Sequence, residues 1–205
     1  MAAFGFHPVR YMNGSPWNGA VVRHSVLSAV ANVFIGDMVD IAGTASISPL
    51  DGAILMDCGL AVAGSPNYGV ITGVNPGVGT PNLNITYGAT GAYREIWVCP
   101  VEPTLILECT ANSALTTAAL GLSYDLVATA GVASTGISAQ VLNSTPAAAN
   151  GGGFQFWNVR SDPSNLNTLT AAGTTITIMS AAQPTIIEVL CVEPRIGLSL
   201  ATLGV

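Results

Sequence analysis

REIWVCPVEPTLILECT, residues 94–110, contains two apolar runs that are separated by a segment with two prolines. Residues 94–99 and 104–109 each have the length and the valine, isoleucine and leucine content of a β-strand. Pro100 and Pro103 cannot donate to a strand ladder, so the proline segment interrupts any pairing. The stretch therefore predicts two strands with a turn between them.

The same pattern recurs along the chain. Short runs rich in valine, isoleucine, leucine and threonine alternate with Gly, Pro, Asn and Ser. We therefore predict an all-β fold, with a β-sandwich, jelly roll or barrel-like body. The one helical segment that we expect is TANSALTTAAL, residues 110–120, with Asn112 or Ser113 as its N-cap. The predicted strands are 20–27, 38–42, 53–60, 69–74, 94–99, 104–109, 125–130, 136–142, 154–160, 174–179 and 185–192.

The four cysteines lack the C-x-x-C spacing of a zinc cluster or a thioredoxin-type pair. If residues 94–110 formed a hairpin, Cys109 would lie opposite a residue near Arg94. If they formed one extended run, Cys99 and Cys109 would be roughly 33 Å apart. Neither arrangement brings these two residues within the ~7 Å that a disulfide requires. We expect buried free thiols, no metal and no cofactor.

Charged side chains are scarce for a chain of this size. Five arginines and eleven acids make up 8% of the 205 residues, no lysine is present, and half of the residues are hydrophobic. An average domain has about a quarter charged residues, and a large apolar surface is usually buried against partners. The composition indicates a subunit of an assembly. We expect a symmetric homo-oligomer, a trimer before a dimer.

The composition also argues against other classes of protein. A net charge of −6 leaves little to neutralise phosphates, so we expect no direct nucleic-acid binding. Apolar runs are interrupted well before eighteen residues, so we expect no membrane span. His7, Pro8 and Arg10 stand where a signal peptide would have its apolar stretch, so we expect no export signal.

Catalytic motifs are poorly represented. Both histidines, His7 and His24, lie near the start of the chain, and neither a G-x-S-x-G elbow nor an H-E-x-x-H motif occurs. Asp37 and Asp40 are three residues apart, so on a strand they would point to opposite faces rather than form a carboxylate pair. We expect that the protein is not an enzyme.

Basic and aromatic side chains are concentrated at the start of the chain. No acid precedes Asp37, whereas the following residues carry three arginines and eleven acids, a net charge of −8. The prolines and glycines there favour extended backbone. We expect residues 1–25 to form an extended N-terminal arm on a β-rich body, residues 26–205; the alternative is an ordinary first strand. The candidate partner-binding side chains of the arm are Phe4, Phe6, Arg10, Tyr11, Trp17 and Arg23.

The opening FGFHPVRYMNGSPWNG, residues 4–19, resembles the N-terminus of the capsid decoration, or cement, proteins of tailed bacteriophages. Further likenesses, in the order expected for that family, are FIGDMVDIAG at 34–43, GVITGVNP at 69–76, YREIWVCPVEPTLILE at 93–108, SYDLV at 123–127 and FQFWNVRSDPSNL at 154–166.

The resemblance implies a β-rich virion protein, made in the host cytoplasm. Such a protein binds the major capsid protein on the outer surface of an icosahedral shell and stabilises the shell against internal DNA pressure. The chain departs from the family in its low charge, its lack of lysine and its apolar final stretch IGLSLATLGV, residues 196–205. These differences bear on how it would attach.

A second function remains open at the sequence level. A phage fibre or adhesin-type β-domain could bind carbohydrate through exposed aromatic side chains such as Trp17, Trp97 or Trp157. An adhesin secreted by a cell should carry an export signal, whereas a phage fibre would not need one.

Overall fold

The structure, a computed structural model, describes residues 3–27, 30–75, 87–91, 93–113, 115, 119–147, 152–160 and 186–192. These residues form twelve strands, and the predicted all-β fold is confirmed. In chain order the strands are β1 (His7–Tyr11), β2 (Val22–Val26), β3 (Met38–Ile47), β4 (Ile54–Leu60), β5 (Gly69–Val74), β6 (Arg94–Pro100), β7 (Leu105–Thr110), β8 (Ser123–Tyr124), β9 (Leu126–Val127), β10 (Val141–Leu142), β11 (Phe154–Val159) and β12 (Ile186–Cys191).

Five of the strands close into a barrel in the order β2-β4-β3-β5-β6. Neighbouring strands are antiparallel except β2 and β4, which are parallel. Successive side chains on a strand point to opposite faces. Ile71 and Val98 therefore fill the barrel interior, whereas Val70 and Cys99, one position away, belong to a second core outside it.

A second, antiparallel sheet supplies the other half of this outer core. Its order is β1-β7-β12-β11-β8. Leu107 and Val189 from this sheet share one apolar cluster with Val70 of the barrel. Phe6, which is 1% exposed, stacks on Phe154 with ring centroids 4.8 Å apart. The body is thus a barrel and a sheet that share one of the barrel's walls.

The two strands predicted within residues 94–110 exist but do not pair with each other. β6 pairs with β2 and β5 in the barrel, whereas β7 pairs with β1 and β12 in the sheet. Val101, between them, is buried and donates its backbone N–H to the carbonyl of Tyr68 at 2.9 Å. The proline segment therefore carries the chain from one half of the body to the other.

Seven of the predicted strands match observed strands to within two residues at each end, namely β2, β4, β5, β6, β7, β11 and β12. The predicted strand 38–42 continues to Ile47 as part of β3. The predicted strands 125–130 and 136–142 shrink to the short β9 and β10, because turn hydrogen bonds on Val132 hold the loop between them. The predicted strand 174–179 lies outside the described residues. Part of the predicted helix 110–120 also lies outside them; in its described part, Ala111 forms a β-bridge with Leu142 instead of starting a helix.

For the stretch predicted as an extended arm, residues 1–25, the contacts of residues 3–25 favour the alternative of an ordinary first strand. β1 pairs with β7 along the edge of the sheet, and β2 pairs with β4 and β6 in the barrel. The physical reason is burial: Phe6 and Pro8 are buried, and Phe6 contributes a large side chain to the outer core. Residues 3–25 therefore contribute to both halves of the body.

Candidate functional site

The six side chains predicted to bind a partner do not come together at one site. Phe6 is buried, whereas Phe4, Tyr11 and Trp17 are half-buried, the latter two against the outer core. The remaining two, Arg10 and Arg23, lie on β1 and β2 in different halves of the body and pair with acids of this same chain. Binding of a partner by any of these residues stays a prediction.

Arg10 forms an ion pair on the second sheet. Its guanidinium nitrogen Nη2 donates to both carboxylate oxygens of Glu188, at 2.7 and 3.0 Å. Glu188 stands directly opposite Glu108 on the neighbouring strand, and Arg160 donates to Glu108 at 3.2 Å. Burial raises the pKa of Glu108 above its usual value; Arg160 opposes this shift and Glu188 adds to it. The two arginines offset the repulsion between cross-strand carboxylates.

Arg23, on the barrel, forms ion pairs that connect it to a hairpin lying over the outer face of β2 and β6. Its Nη2 donates to Asp51 at 2.6 Å, and its Nη1 lies 3.7 Å from Glu95. We call this element, residues 44–57, the outer hairpin; it consists of the second half of β3, a turn and the first half of β4. A β-bulge between Ile41 and Ala45 separates it from the barrel part of β3.

The outer hairpin turns its polar side chains inward. Asp57, 1% exposed, accepts hydrogen bonds from the hydroxyls of Ser25 and Thr44, each at 2.7 Å. Burial by itself would raise the pKa of Asp57, but hydrogen bonds from Ser25, Ser46 and Thr44 outweigh it and hold the pKa below its usual value. These contacts fasten the base of the hairpin to β2.

A second buried carboxylate fastens the tip. Glu95 on β6 accepts hydrogen bonds from the hydroxyls of Ser48 at 2.6 Å and Tyr93 at 3.1 Å, and from the amide of Asn75 at 3.4 Å. Burial and the hydrogen bond to Glu95 raise the pKa of Tyr93 to about 12. Because such hydrogen bonds to charged groups are stronger than neutral ones, the tip is held in one place.

The opposite face of the outer hairpin is apolar and open to solvent. Ile47 and Ile54 are cross-strand partners, and they are 68% and 77% exposed. Ala45 and Met56 form the next pair on the same face and are also exposed. We call these four residues the ribbon face. The usual arrangement is inverted here, because the inward side buries polar groups such as Asp57 and Ser48 beside Leu55, whereas the outward side is apolar and meets water.

A second exposed apolar surface lies at the other end of β3. Ile35, Val132 and Ile137 are all exposed, and β-bridges join Ile137 to both of the others. We call these three residues the loop patch. The N–H of Ser138 donates to the carbonyl of Ile35 at 2.8 Å, and that of Val132 donates to the carbonyl of Ile137 at 2.9 Å. The loop is therefore ordered.

Phe4 reaches the edge of the loop patch through the backbone. Gly5 and Gly36 both have a positive φ, and a Cβ at Gly36 would stand 2.6 Å from the carbonyl oxygen of Phe4. The N–H of Phe6 donates to the carbonyl of Gly36 at 2.8 Å. These close approaches require glycine, and they fix the N-terminal segment beside Ile35.

His24 is the buried histidine of the barrel. Its Nδ1 lies 3.2 Å from the carbonyl oxygen of Met56 and its Nε2 lies 2.9 Å from the hydroxyl of Tyr68. Because a carbonyl only accepts, Nδ1 carries the proton and Nε2 accepts from Tyr68. Burial lowers the pKa of His24, which keeps the ring neutral. Both ring nitrogens are occupied by structural hydrogen bonds.

The four cysteines are buried, and none of them forms a disulfide. Burial raises the pKa of Cys58 to about 12 and that of Cys99 to about 11. Burial also raises the pKa of Cys109. A thiol acts as a nucleophile or metal ligand through its thiolate, so these three residues behave as apolar packing groups.

The chain was compared with protein-family models, curated proteins and solved structures. Neither a protein-family model, nor a curated protein, nor a solved structure matches the chain. Within the described ranges, three or more potential metal-ligating side chains do not converge. In the same part of the chain, no helix is long and apolar enough to cross a membrane.

Sequence reasoning missed both apolar surfaces. Part of the signal for the ribbon face was present in ASISPLDGAILMD, residues 45–57: apolar residues 45 and 47 alternate with serines, Asp51-Gly52 marks a turn, and residues 53–56 are all apolar. Alternation of this kind normally places the apolar side inward. Only the buried acids behind the hairpin reveal that the pattern is inverted.

Proposed function

We propose that this protein is a structural virion protein: a decoration, or cement, protein that binds the outer surface of an icosahedral bacteriophage capsid and stabilises it. The observation that carries the proposal is the pair of ordered apolar surfaces at the two ends of β3. Nine residue steps of strand separate these ends by at most about 30 Å. A subunit that links its neighbours needs more than one contact surface on a rigid body.

The resemblance in residues 4–19 supplies the partner in this proposal, the major capsid protein. We assign the loop patch to that contact because Phe4, one of the six candidate residues, lies at its edge. Three aliphatic side chains offer an uncharged surface of the kind found at interface centres. The half-buried aromatic ring of Phe4 would then be an anchor beside it.

The polar groups of the described body support a structural role rather than catalysis. Asp57, Glu95, His24 and Arg10 each use their polar atoms in hydrogen bonds or ion pairs within the fold. A catalytic base or nucleophile needs an atom that can reach a substrate. We therefore propose that the protein is not an enzyme.

Binding to purified DNA-free shells tests the proposal. Titrated protein would be co-sedimented with shells, and bound copies would be located by cryo-electron microscopy. We expect saturable binding at icosahedral positions, and we expect the double variant Val132→Asp and Ile137→Asp to bind at least about tenfold more weakly. The matched control is Val62→Asp, an equally exposed aliphatic site outside the loop patch. Absence of wild-type binding would refute the proposal.

A carbohydrate-binding fibre or adhesin domain is the second candidate, and Trp97 favours it. A Cβ at Gly73 would stand 3.3 Å from Cδ1 of Trp97, so the indole lies beside a residue without a side chain and is 42% exposed. Its cross-strand neighbour is Arg23, which pairs with Asp51. An exposed ring beside polar groups is suited to stacking on a sugar. Glycan-array binding that Trp97→Ala abolishes would favour this candidate, with the equally exposed Trp157→Ala as control.

A further inference from the structure

We infer that the ribbon face joins two copies of this chain about a two-fold axis. The inference begins with the inverted hairpin. Ser46 and Leu55, on the inward side, are shielded, whereas Ile47 and Ile54 on the outward side are the most exposed large apolar side chains among the described residues. Exposed isoleucines on an ordered ribbon gain free energy only when another surface covers them.

The hairpin is held in its binding geometry before any partner arrives. Buried acids at its base and tip, Asp57 and Glu95, accept hydroxyl hydrogen bonds from Thr44 and Ser48 of the hairpin. The ion pair between Arg23 and Asp51 adds a third attachment. A surface that is already ordered loses little conformational entropy on binding, so a small contact area can still support association.

Charge favours a second copy as the occupant. Each chain carries a net charge of −6, which opposes association through acidic surfaces. The ribbon face contains Ala45, Ile47, Ile54 and Met56, without an ionisable group. Asp51, the exposed acid at the tip of the hairpin, is paired with Arg23 of its own chain. Two copies can therefore meet here without bringing unpaired like charges together.

The geometry of the ribbon fits a closed dimer. A two-fold axis that relates two ribbons packed face to face must lie between the two faces, and here it can run parallel to the strands, above the line midway between the paired residues Ile47 and Ile54. Rotation about this axis places Ile47 of one copy over Ile54 of the other, and the reverse contact is identical. Of the two oligomers expected from composition, the ribbon face fits the dimer rather than the trimer.

The size of the ribbon face determines the affinity that we expect for the dimer. A ribbon four residues long is roughly 13 Å in length, which is small beside the ~800 Å² per partner of a stable interface. We therefore expect a dimer that forms in the micromolar range and dissociates at nanomolar concentration. On a capsid, where copies are held side by side, the same contact would be strengthened by high local concentration.

Sedimentation velocity of the full chain from about 1 to about 200 µM tests the inference. We expect wild-type protein to pass from monomer to dimer across this range. Ile54→Asp should remain monomeric throughout, because each dimer would bury two carboxylates against isoleucine. Val132→Asp, in the loop patch, should dimerise like wild type. A wild type that is monomeric at the highest concentration, or an Ile54→Asp dimer of unchanged affinity, overturns the inference.

Cross-linking gives a second test of the dimer, and it requires only single substitutions to cysteine, which introduce no charge. The four native cysteines are buried, so single cysteines introduced at the ribbon face are the accessible thiols. A mixture of Ile47→Cys and Ile54→Cys proteins should form mixed dimers with a short bis-maleimide, faster than a mixture of Ile54→Cys and Val132→Cys. Equal rates for the two mixtures would contradict the two-fold arrangement. Shell binding by the loop-patch variants is measured separately, so failure of the capsid proposal and failure of this inference are distinguishable.

Discussion

Arg94 shows how this chain accommodates a buried cation without a carboxylate. The residue is 3% exposed, and its two terminal nitrogens donate to the carbonyls of Leu27, Val30, Ala31 and Gly88, at 2.6 to 3.1 Å. Burial lowers the pKa of Arg94, but an arginine stays charged. The planar fork of the guanidinium is required, because one side chain must satisfy carbonyls from two separate segments.

Arg94→Met should therefore be strongly destabilising. The variant removes the guanidinium donor from all four carbonyls, although those of Leu27 and Gly88 keep a backbone N–H donor. The loss of buried charge-assisted hydrogen bonds costs about 3 to 5 kcal/mol. Arg94→Lys keeps the charge but has a single nitrogen, so we expect an intermediate loss. Urea unfolding followed by circular dichroism measures both. A midpoint for Arg94→Met equal to that of wild type would show that these hydrogen bonds contribute nothing net.

Asp37 should make stability fall as pH rises. Burial raises its pKa from 3.8 to about 6, although hydrogen bonds from Ser138 and the backbone of Phe34 oppose the shift. Between these two values the folded state holds a proton that the unfolded state releases, so the free energy of unfolding decreases with increasing pH. The full penalty, present above the folded pKa, is about 3 kcal/mol.

Asp37→Asn removes this titration while keeping an acceptor for the N–H of Phe34. We expect the variant to gain stability over wild type by about 3 kcal/mol at pH 8 and by about 1 kcal/mol at pH 4.5. The difference between the two unfolding free energies, measured by urea titration at both pH values, isolates Asp37 from other titrating groups. A gain that does not depend on pH would contradict a raised pKa.

At the scale of elements, β1 is the strand for which the predicted role, as part of an extended arm, differs most from the observed one. An extended arm would tolerate deletion of residues 1–23. The observed strand would not, because deletion removes Phe6 from the outer core and the Arg10 ion pair from Glu188. Losing a buried phenylalanine side chain alone costs about 3 to 5 kcal/mol.

We therefore expect the truncated protein to lose its cooperative thermal transition, as measured by near-ultraviolet circular dichroism and calorimetry. Phe6→Ala gives a milder test with the same direction, and Met12→Ala, at an exposed position, is its control. A truncated protein that melts at the wild-type temperature would instead support the prediction of an extended arm.

The predictability of each element follows from how local its signal is. β5 was predicted at its observed bounds because Gly69–Val74 is a short apolar run between turn residues. β1 was omitted from the predicted strands because proline and glycine dominate its surroundings, and its pairing with β7 depends on residues about a hundred positions away. The inward positions of Asp57 and Glu95 could not be predicted, because their hydroxyl partners come from other segments of the chain.

At the scale of the whole molecule, the all-β class could be predicted from the short apolar runs that alternate with Gly, Pro, Asn and Ser. The division into a barrel and a sheet could not be predicted in this way. Residues 94–110 read equally well as a hairpin or an extended run, and the choice depends on the shared core between Cys99 and Leu107. The low charge of the chain indicated exposed apolar surface. It could not say where that surface lies, because position depends on which face of each strand is covered.

If the ribbon face and the loop patch act as proposed, decoration of shells should be cooperative. A copy bound through the loop patch presents its ribbon face to the next copy, and the high local concentration on the shell compensates for the weak dimer contact. Binding isotherms from shell co-sedimentation should have a Hill coefficient above one for wild type. Ile54→Asp should still bind, because its loop patch is intact, but with a coefficient of one and a lower occupancy at low protein concentration. Val62→Asp is the control for an added charge. An Ile54→Asp isotherm as steep as that of wild type would show that neighbouring copies do not meet through the ribbon face.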